Sequence, residues 1–432
     1  MPFRMTELVG CEFPLFAFSH CRDVVAAASR AGGFGVLGAV SYTPEELEHE
    51  LRWIDDHVEG KPYGVDVLIP EVQAVDSTVS MDAIVAQIPS EYRDFTRSLL
   101  RECGIDEAVG APRAGSAAPN TSLGQELLEV SFNHPVRLIA NALGTAPPAM
   151  IEAGKKHGIP VAALVGAKEH ALKQVEAGVD IIVAQGGEGG GHCGDVATIV
   201  LVPEVIAAIE EAGADIPVLA AGGIMTGKQM AGMMAMGAAG AWCGSVWLAS
   251  PEAETTEVFR DKMIAAGSRD TIRSKHRTGK YSRQLKSEWH ERWEAAGLPA
   301  LPMPLMSLLA EPVLRALDQA AVAGNPRAQA LSSYWVGQGL GLVKDSRGVG
   351  TIVQDFRQDF AAGFEKLKTL PCDVFLASHA FMFYMEEKLA QWQQNPDRNP
   401  FVDPEGCRTY VTDWEYEFRY LLQQARLGQP SQ

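Results

Sequence analysis

The sequence contains no C-x-x-C pair, no H-x-H and no G-x-x-x-x-G-K-[ST] loop. Zinc ribbons, dithiol redox centres and P-loop nucleotide sites are therefore excluded. Its seven cysteines (Cys11, Cys21, Cys103, Cys193, Cys243, Cys372 and Cys407) are odd in number and scattered. They read as free thiols in a reducing, cytoplasmic setting. Positive charge is scarce: 37 Lys and Arg stand against 54 Asp and Glu, a formal net charge of −17. Such a surface repels phosphate backbones and anionic lipid, so no nucleic-acid or membrane partner is expected. No apolar run approaches the ~20 residues of a membrane span. The first residues, MPFRMTELVGCEFPLF, lack the charged-then-apolar order of a signal peptide.

Glycine, by contrast, is plentiful, at 42 residues, and gathers at the ends of short apolar runs. Eight such runs read as strands: Phe13–Phe18, Phe34–Leu37, Tyr63–Leu68, Arg137–Ala140, Pro160–Leu164, Ile181–Ala184, Val218–Ala220 and Gly240–Trp242. Amphipathic stretches lie between them, among them Asp23–Ala31, Pro44–Val58, Met150–His157, Lys168–Ala177, Pro203–Ala212 and Gly227–Met236. Thr43-Pro44-Glu45-Glu46 reads as a capping box with proline at the first helical position. Strand alternating with helix predicts an α/β fold, and eight repeats favour the (β/α)8 barrel over an open doubly wound sheet.

Between Glu71 and Phe132 the chain is too long for one connection, which predicts an inserted helical excursion with Gly110–Gly124 as a flexible segment. After Ser250 the repeat stops, and a C-terminal helical region follows over about 251–366. The organisation expected is a barrel with this helical region over 1–366, then a short appendage over 367–432. Within the helical region, Ser268–Lys286 is densely basic (Arg269, Arg273, Lys275, His276, Arg277, Lys280, Arg283, Lys286). It reads either as a solvated helix face or as an anion site near the barrel mouth, for a substrate carboxylate, a coenzyme A phosphate or a nucleotide.

The densest chemical signal is Gln185-Gly-Gly-Glu-Gly-Gly-Gly-His-Cys-Gly-Asp195, directly after an expected strand. Without side chains, Gly190 and Gly191 let backbone N–H groups approach a planar or anionic ligand. His192 stands where a barrel strand delivers catalytic groups, and histidine suits proton transfer near neutral pH. Gly222-Gly223 and Trp242-Cys243-Gly244-Ser245 follow the expected seventh and eighth strands. Loops at those two places commonly form a phosphate site from backbone N–H groups.

These motifs, with AGGFGVLGA (Ala31–Ala39) and GKPYGVDV (Gly60–Val67), resemble the FMN-dependent nitronate monooxygenase family over roughly residues 8–360. The resemblance implies FMN on the barrel and His192 as the active-site histidine. It implies that Gln185 and Gly190 touch the flavin and that Gly222, Gly223 and Trp242–Ser245 hold its phosphate. It places Ala17, Phe18 and Ser19 near the isoalloxazine ring. Two departures stand out. Phe16-Ala17-Phe18-Ser19 replaces the usual Q-A-P-M, and Asp66 stands where the family usually has Asn or Gln. A carboxylate at that place disfavours an anionic reduced flavin.

The resemblance thus implies an oxidoreductase acting on an anionic small molecule, an alkyl nitronate, with molecular oxygen. The same architecture also resembles flavin-dependent enoyl-thioester reductases. That leaves NAD(P)H as donor and an enoyl- or acyl-CoA ester as substrate as the alternative. Pro371–Ala380 and Asn399–Gly406 resemble the C-terminal end of subclass B3 metallo-β-lactamases, in which the histidine matching His379 binds zinc. No two of the ten histidines here are closer than eight residues, so the rest of that zinc site is missing. No metal site and no lactamase activity are expected. The tail is expected to pack a strand (Val374–Ala377) and a helix (Tyr410–Gln424) against the barrel or a second copy, which leaves a homodimer open. Its Phe375, Phe381, Phe383 and Tyr384 would suit an interaction surface on a flavin-binding scaffold.

Overall fold

The computed structural model describes residues 4–40, 42–69, 81–107, 121–369 and 385–426. Its strands, in chain order, are β1 (Leu15–Ser19), β2 (Phe34–Gly38), β3 (Tyr63–Asp66), β4 (Leu138–Asn141), β5 (Val161–Val165), β6 (Ile181–Gln185), β7 (Gly191–His192), β8 (Val218–Ala221), β9 (Gly240–Cys243), β10 (Thr271–Ser274) and β11 (Ser282–Leu285). Eight of them, β1 to β6 with β8 and β9, form a closed parallel barrel. Leu15, Phe16 and Ala17 pair with Ala241, Trp242 and Cys243 to close it. All eight expected strands are therefore present, and the (β/α)8 reading holds.

Strand alternation sorts the side chains onto two faces. Phe16, Phe34, Val36, Leu138, Val183, Leu219 and Trp242 form one buried cluster, which fills the barrel. Leu15, Ala17, Leu37, Val65, Ile182 and Cys243 belong to another, packed beneath the surrounding helices. Local signals set the helix ends. Thr43 accepts from the Glu46 N–H and Glu46 returns to the Thr43 N–H, so the expected capping box forms. Gly158 and Gly178 end the helices Pro148–His157 and Lys168–Ala177 at φ of 65° and 88°, a left-handed conformation that glycine adopts cheaply.

Three expectations about helices need correction. The stretch Gly110–Gly124 is not a loop throughout: a helix spans Thr121–Phe132 and packs on helix Pro44–His57, while residues 110–120 lie outside the described residues. Gly124 is there for space, since a Cβ would come within 2.8 Å of Ile69 and 3.0 Å of the Leu68 carbonyl. The helix expected to begin at Pro203 begins at Thr198, with Pro203 inside it. The basic segment Ser268–Lys286 is not a helix face at all. After one short turn it forms the β10–β11 hairpin.

The expected excursion carries helices Met81–Val85 and Ser90–Glu102 away from the barrel. They bury Tyr92, Leu99 and Leu100 against Trp289, Trp293, Leu314 and Leu317 from the C-terminal helices, a second apolar core. That core supports the hairpin. The Trp289 indole donates to the His276 carbonyl at 3.1 Å, and Trp293 stacks on the His276 ring at 5.1 Å between centroids. Helix Val349–Thr369 lies across helix Gly227–Ala235, and helix Pro404–Arg426 packs on it in turn, with Lys368 paired to Glu415. The expected helix Tyr410–Gln424 falls within the last of these. The expected strand Val374–Ala377, His379 and the aromatics Phe375, Phe381, Phe383 and Tyr384 lie outside the described residues.

Candidate active site

The site is built at the C-terminal rim of the barrel, where eight strand ends converge. On β6, Gln185 belongs to the inward-facing row and donates from Nε2 to the His192 carbonyl at 3.1 Å. The loop that follows is fastened at several points. The Gly186 N–H donates to the Ala221 carbonyl at 3.0 Å and the Gly187 N–H to the Val196 carbonyl at 2.7 Å. The Gln338 N–H donates to the Glu188 carbonyl at 2.8 Å. Gly190 presses backbone to backbone on this clasp: a Cβ there would stand 2.7 Å from the Gly337 nitrogen. Glu188 turns back and accepts from the Thr198 N–H at 2.8 Å and its hydroxyl at 2.9 Å, occupying the start of helix Thr198–Glu211.

Gly222 and Gly223 end β8 at φ of 101° and 74°. A Cβ on Gly222 would lie 2.8 Å from Thr198 Oγ1 and 3.0 Å from the Gly186 carbonyl. Both the conformation and the space demand glycine. Ser245, after β9, accepts the Gly337 N–H at 2.8 Å and so ties the two loops together. Among the described residues no protein acceptor takes the N–H of Gly222, Gly223, Gly244 or Ser245. Four backbone donors from two adjacent strand ends are thus left for a ligand, which fits a phosphate group.

Phe18 and Trp242 sit between this donor set and the barrel interior. The Trp242 ring stacks on Phe16 at 5.8 Å and on Phe18 at 6.1 Å, and a Cβ on Gly244 would meet Phe18 at 3.9 Å. They offer a flat apolar floor at the rim, suited to a planar ring. Ala17 and Cys243 point the other way, into the cluster beneath the helices, so only their backbone is available at the rim. Ser19 accepts from the Cys21 N–H at 3.0 Å, which starts helix Arg22–Arg30.

Asp66 ends β3 in the inward row, opposite Gly38 and Ala140. It is 4% exposed, and its Oδ1 has no hydrogen-bond partner. Burial raises its pKa to about 7, with no charged neighbour contributing. An orphaned carboxyl of this kind suits the polar edge of a ring lying in the mouth. His20 covers the neighbouring strand end, its Nδ1 2.9 Å from the Gly38 carbonyl and its ring edge-on to Phe18. Burial lowers its pKa.

His192 lies on β7, two residues that leave the glycine loop and pair antiparallel with β11. Its Nε2 is 2.8 Å from Thr278 Oγ1, and its ring lies 5.9 Å from that of Trp335. Thr278 donates its own hydroxyl to the Lys280 carbonyl at 3.2 Å. Thr278 thus holds the ring through Nε2, and Nδ1 makes no hydrogen bond among the described residues. The residue keeps contact with solvent, yet desolvation by the surrounding protein lowers its pKa. Lys280 and Arg277 lower it further and Glu311 opposes them. Sequence reasoning singled out neither Thr278, which holds the His192 ring, nor Gly337, which clasps the loop. A threonine or glycine 80 to 150 residues away carries no local signal.

A parallel barrel with backbone donors after two adjacent late strands, an apolar floor and a rim histidine defines a flavin-binding (β/α)8 oxidoreductase. The chain belongs to the nitronate monooxygenase family: the family's model matches residues 4–359. The protein is accordingly an FMN-dependent oxidoreductase. It is 48% identical to Rv1533 of Mycobacterium tuberculosis H37Rv, which is named as a monooxygenase, over 83% of this chain and 96% of that one. It is 25% identical to a Staphylococcus aureus (strain JH9) protein named as a nitronate monooxygenase, over 78% of this chain and 91% of that one. Among solved structures, FabK from Thermotoga maritima is similar with a TM-score of 0.62 and 26% identity, covering 84% of this chain and 98% of its own. Nitroalkane oxidase from Streptomyces ansochromogenes shares the fold with a TM-score of 0.69 and 23% identity, covering 84% of this chain and 99% of its own.

Proposed function

We propose that the protein oxidises alkyl nitronates with molecular oxygen, with His192 as its catalytic base. The observation that carries this reading is the setting of His192: a neutral imidazole with a free Nδ1, flanked by cationic residues, on a strand fastened to the glycine loop. Bound FMN supplies the electron-accepting centre. The N–H groups of Gly222, Gly223, Gly244 and Ser245 would hold its phosphate, and Phe18 and Trp242 would lie beside its ring. Gln185, Gly190, Gly191 and Asp66, with the backbone of Ala17, Ser19 and Cys243, complete the proposed cofactor contacts. A nitronate is already the anion, and Lys280 and Arg277 beside His192 favour its charge; where the parent nitroalkane is the substrate, His192 takes its α-proton and so forms the same nitronate.

The test is oxygen consumption with an alkyl nitronate and with its parent nitroalkane under air. Turnover of the nitronate is expected. Turnover only of an enoyl thioester with NAD(P)H under nitrogen would replace this reading by the reductase alternative. That alternative draws support from one observation, the cationic hairpin beside His192, which suits a larger anionic substrate.

A further inference from the structure

The hairpin that pairs with the His192 strand holds more positive charge than the protein around it neutralises. Ser268–Lys286 contains seven Lys and Arg and a single acid, Asp270, in a chain of net charge −17. Arg277 pairs with Glu311 and Lys286 with Glu291. Among the described residues no carboxylate lies within ion-pair distance of Arg269, Arg273, Lys275, Lys280 or Arg283. Arg273 stands directly across the ladder from Arg283, an arrangement that costs stability when nothing anionic separates the pair. The Arg273 guanidinium and the Lys275 ammonium also share one ring, at 5.0 and 4.6 Å from the centroid of Tyr281, which is 51% exposed. The Arg273 Nε is shut off from solvent and makes no hydrogen bond. Lys280 connects this cluster to the catalytic side, since it acts electrostatically on His192.

We propose that the β10–β11 hairpin is a docking site for the phosphate-bearing arm of a small-molecule ligand, with Arg273, Lys275 and Lys280 as its cations and Tyr281 as their platform. The proposal rests on the flavin-site reading above, because the docked arm directs the rest of the ligand toward His192. A small nitronate carries its charge on the nitro oxygens, next to the reacting carbon, which leaves the outer cations of the hairpin without a role. A phosphate carries two charges and several acceptor oxygens, and matches a guanidinium beside an ammonium. The patch is small, gathered around one aromatic ring. An acidic protein large enough to cover it would also meet the strongly negative remainder of the surface, which opposes its approach. A small phosphorylated molecule meets only the patch.

The probe is inorganic pyrophosphate, titrated calorimetrically into FMN-loaded protein at low ionic strength. Coenzyme A and NADPH follow as separate arms. Binding of pyrophosphate is expected, weakening with added salt, and at least tenfold weaker in the double variant R273A/K275A. Tighter binding of coenzyme A than NADPH, or the reverse, identifies which ligand brings the phosphate. Lys275→Glu alone, at an exposed position, is expected to give the same loss and guards against a fold defect in the double variant. The FMN absorption of each sample is recorded alongside. A sample that holds no FMN overturns the flavin reading, whereas FMN-loaded protein that ignores all three probes overturns the hairpin proposal. Binding that persists unchanged in both variants also overturns it. So does selective binding of a polyglutamate peptide, which would point to an acidic protein partner.

Discussion

Asp66 behaves unlike an ordinary aspartate. From sequence it reads, through the family resemblance, as a carboxylate standing where Asn or Gln is usual. The structure buries it with an unpartnered oxygen and raises its pKa to about 7. In the unfolded chain the same carboxyl titrates near ~3.9. The folded state therefore holds its proton more tightly, and between these values stability falls as pH rises. For FMN-free protein, Asp66→Asn is expected to abolish this slope. Its advantage over the parent should grow from pH 5 to 7, toward a few kcal/mol (about 1.4 per pH unit), and level off above. Denaturant unfolding of both proteins across that range measures it, and parallel stability curves would count against a protonated Asp66.

At His192 the lowered pKa places the base form at neutral pH. Loss of activity on a neutral nitroalkane is expected only below the ordinary histidine range, because protonation removes the base form of the ring. His192→Ala is expected to lower that turnover by about 10²–10⁴-fold. Thr278→Val should leave FMN bound but shift the acid limb of the pH profile, since the hydrogen-bond partner of His192 Nε2 is gone. His192 was legible because a histidine among glycines after a strand is a dense local signal. Its partner Thr278 was not, because the pairing depends on a strand that crosses to a distant hairpin.

Elements show the same division. The eight barrel strands were legible as short apolar runs, most of them ended by glycine or a small residue, and their order follows the chain. The two glycine turns after β8 and β9 were legible for the same reason. Gly222→Ala is expected to cost about 1–2 kcal/mol from its positive φ alone. The approach of Thr198 Oγ1 at 2.8 Å adds a clash. Reduced FMN retention after gel filtration, read as absorption near 450 nm per protein, checks it. The hairpin was not legible as two strands, and a helix face stood as one of its two readings, because its charges mask the alternation of a strand. Ser274, Ser282 and Gln284 are buried and polar, so one face of the hairpin is buried without being apolar. No hydrophobic period exists there to be found. Trp293, buried beneath the hairpin among Tyr92, Phe95 and Trp289, supports it from the second core. Trp293→Ala is expected to cost about 3–5 kcal/mol in unfolding free energy.

At the scale of the whole molecule, the described C-terminal helices stand apart in sequence from the groups proposed to hold the flavin. Helix Pro404–Arg426 rests on helix Val349–Thr369, whereas every group assigned to the flavin site lies between Ala17 and Ser245. A chain ending after Thr369 is expected to keep its FMN and its turnover, and colourless truncated protein would show that the appendage supports the barrel. The second core was only half legible, since its two contributors are separated by most of the barrel sequence.

The clasp between Glu188 and Gln338 also bears on how the protein is made. The barrel closes only when β9 meets β1, and the last fastening of the glycine loop forms only once residues 335–338 reach it. At roughly 5–20 residues per second, a ribosome needs on the order of twenty seconds to a minute to pass from the first strand to that clasp. For most of that interval the glycine turns after β8 and β9 are not yet made, and once made they still lack a finished pocket. Capture of the cofactor therefore belongs to the end of biosynthesis. A cell short of FMN would accumulate barrels that have closed around an unfilled rim.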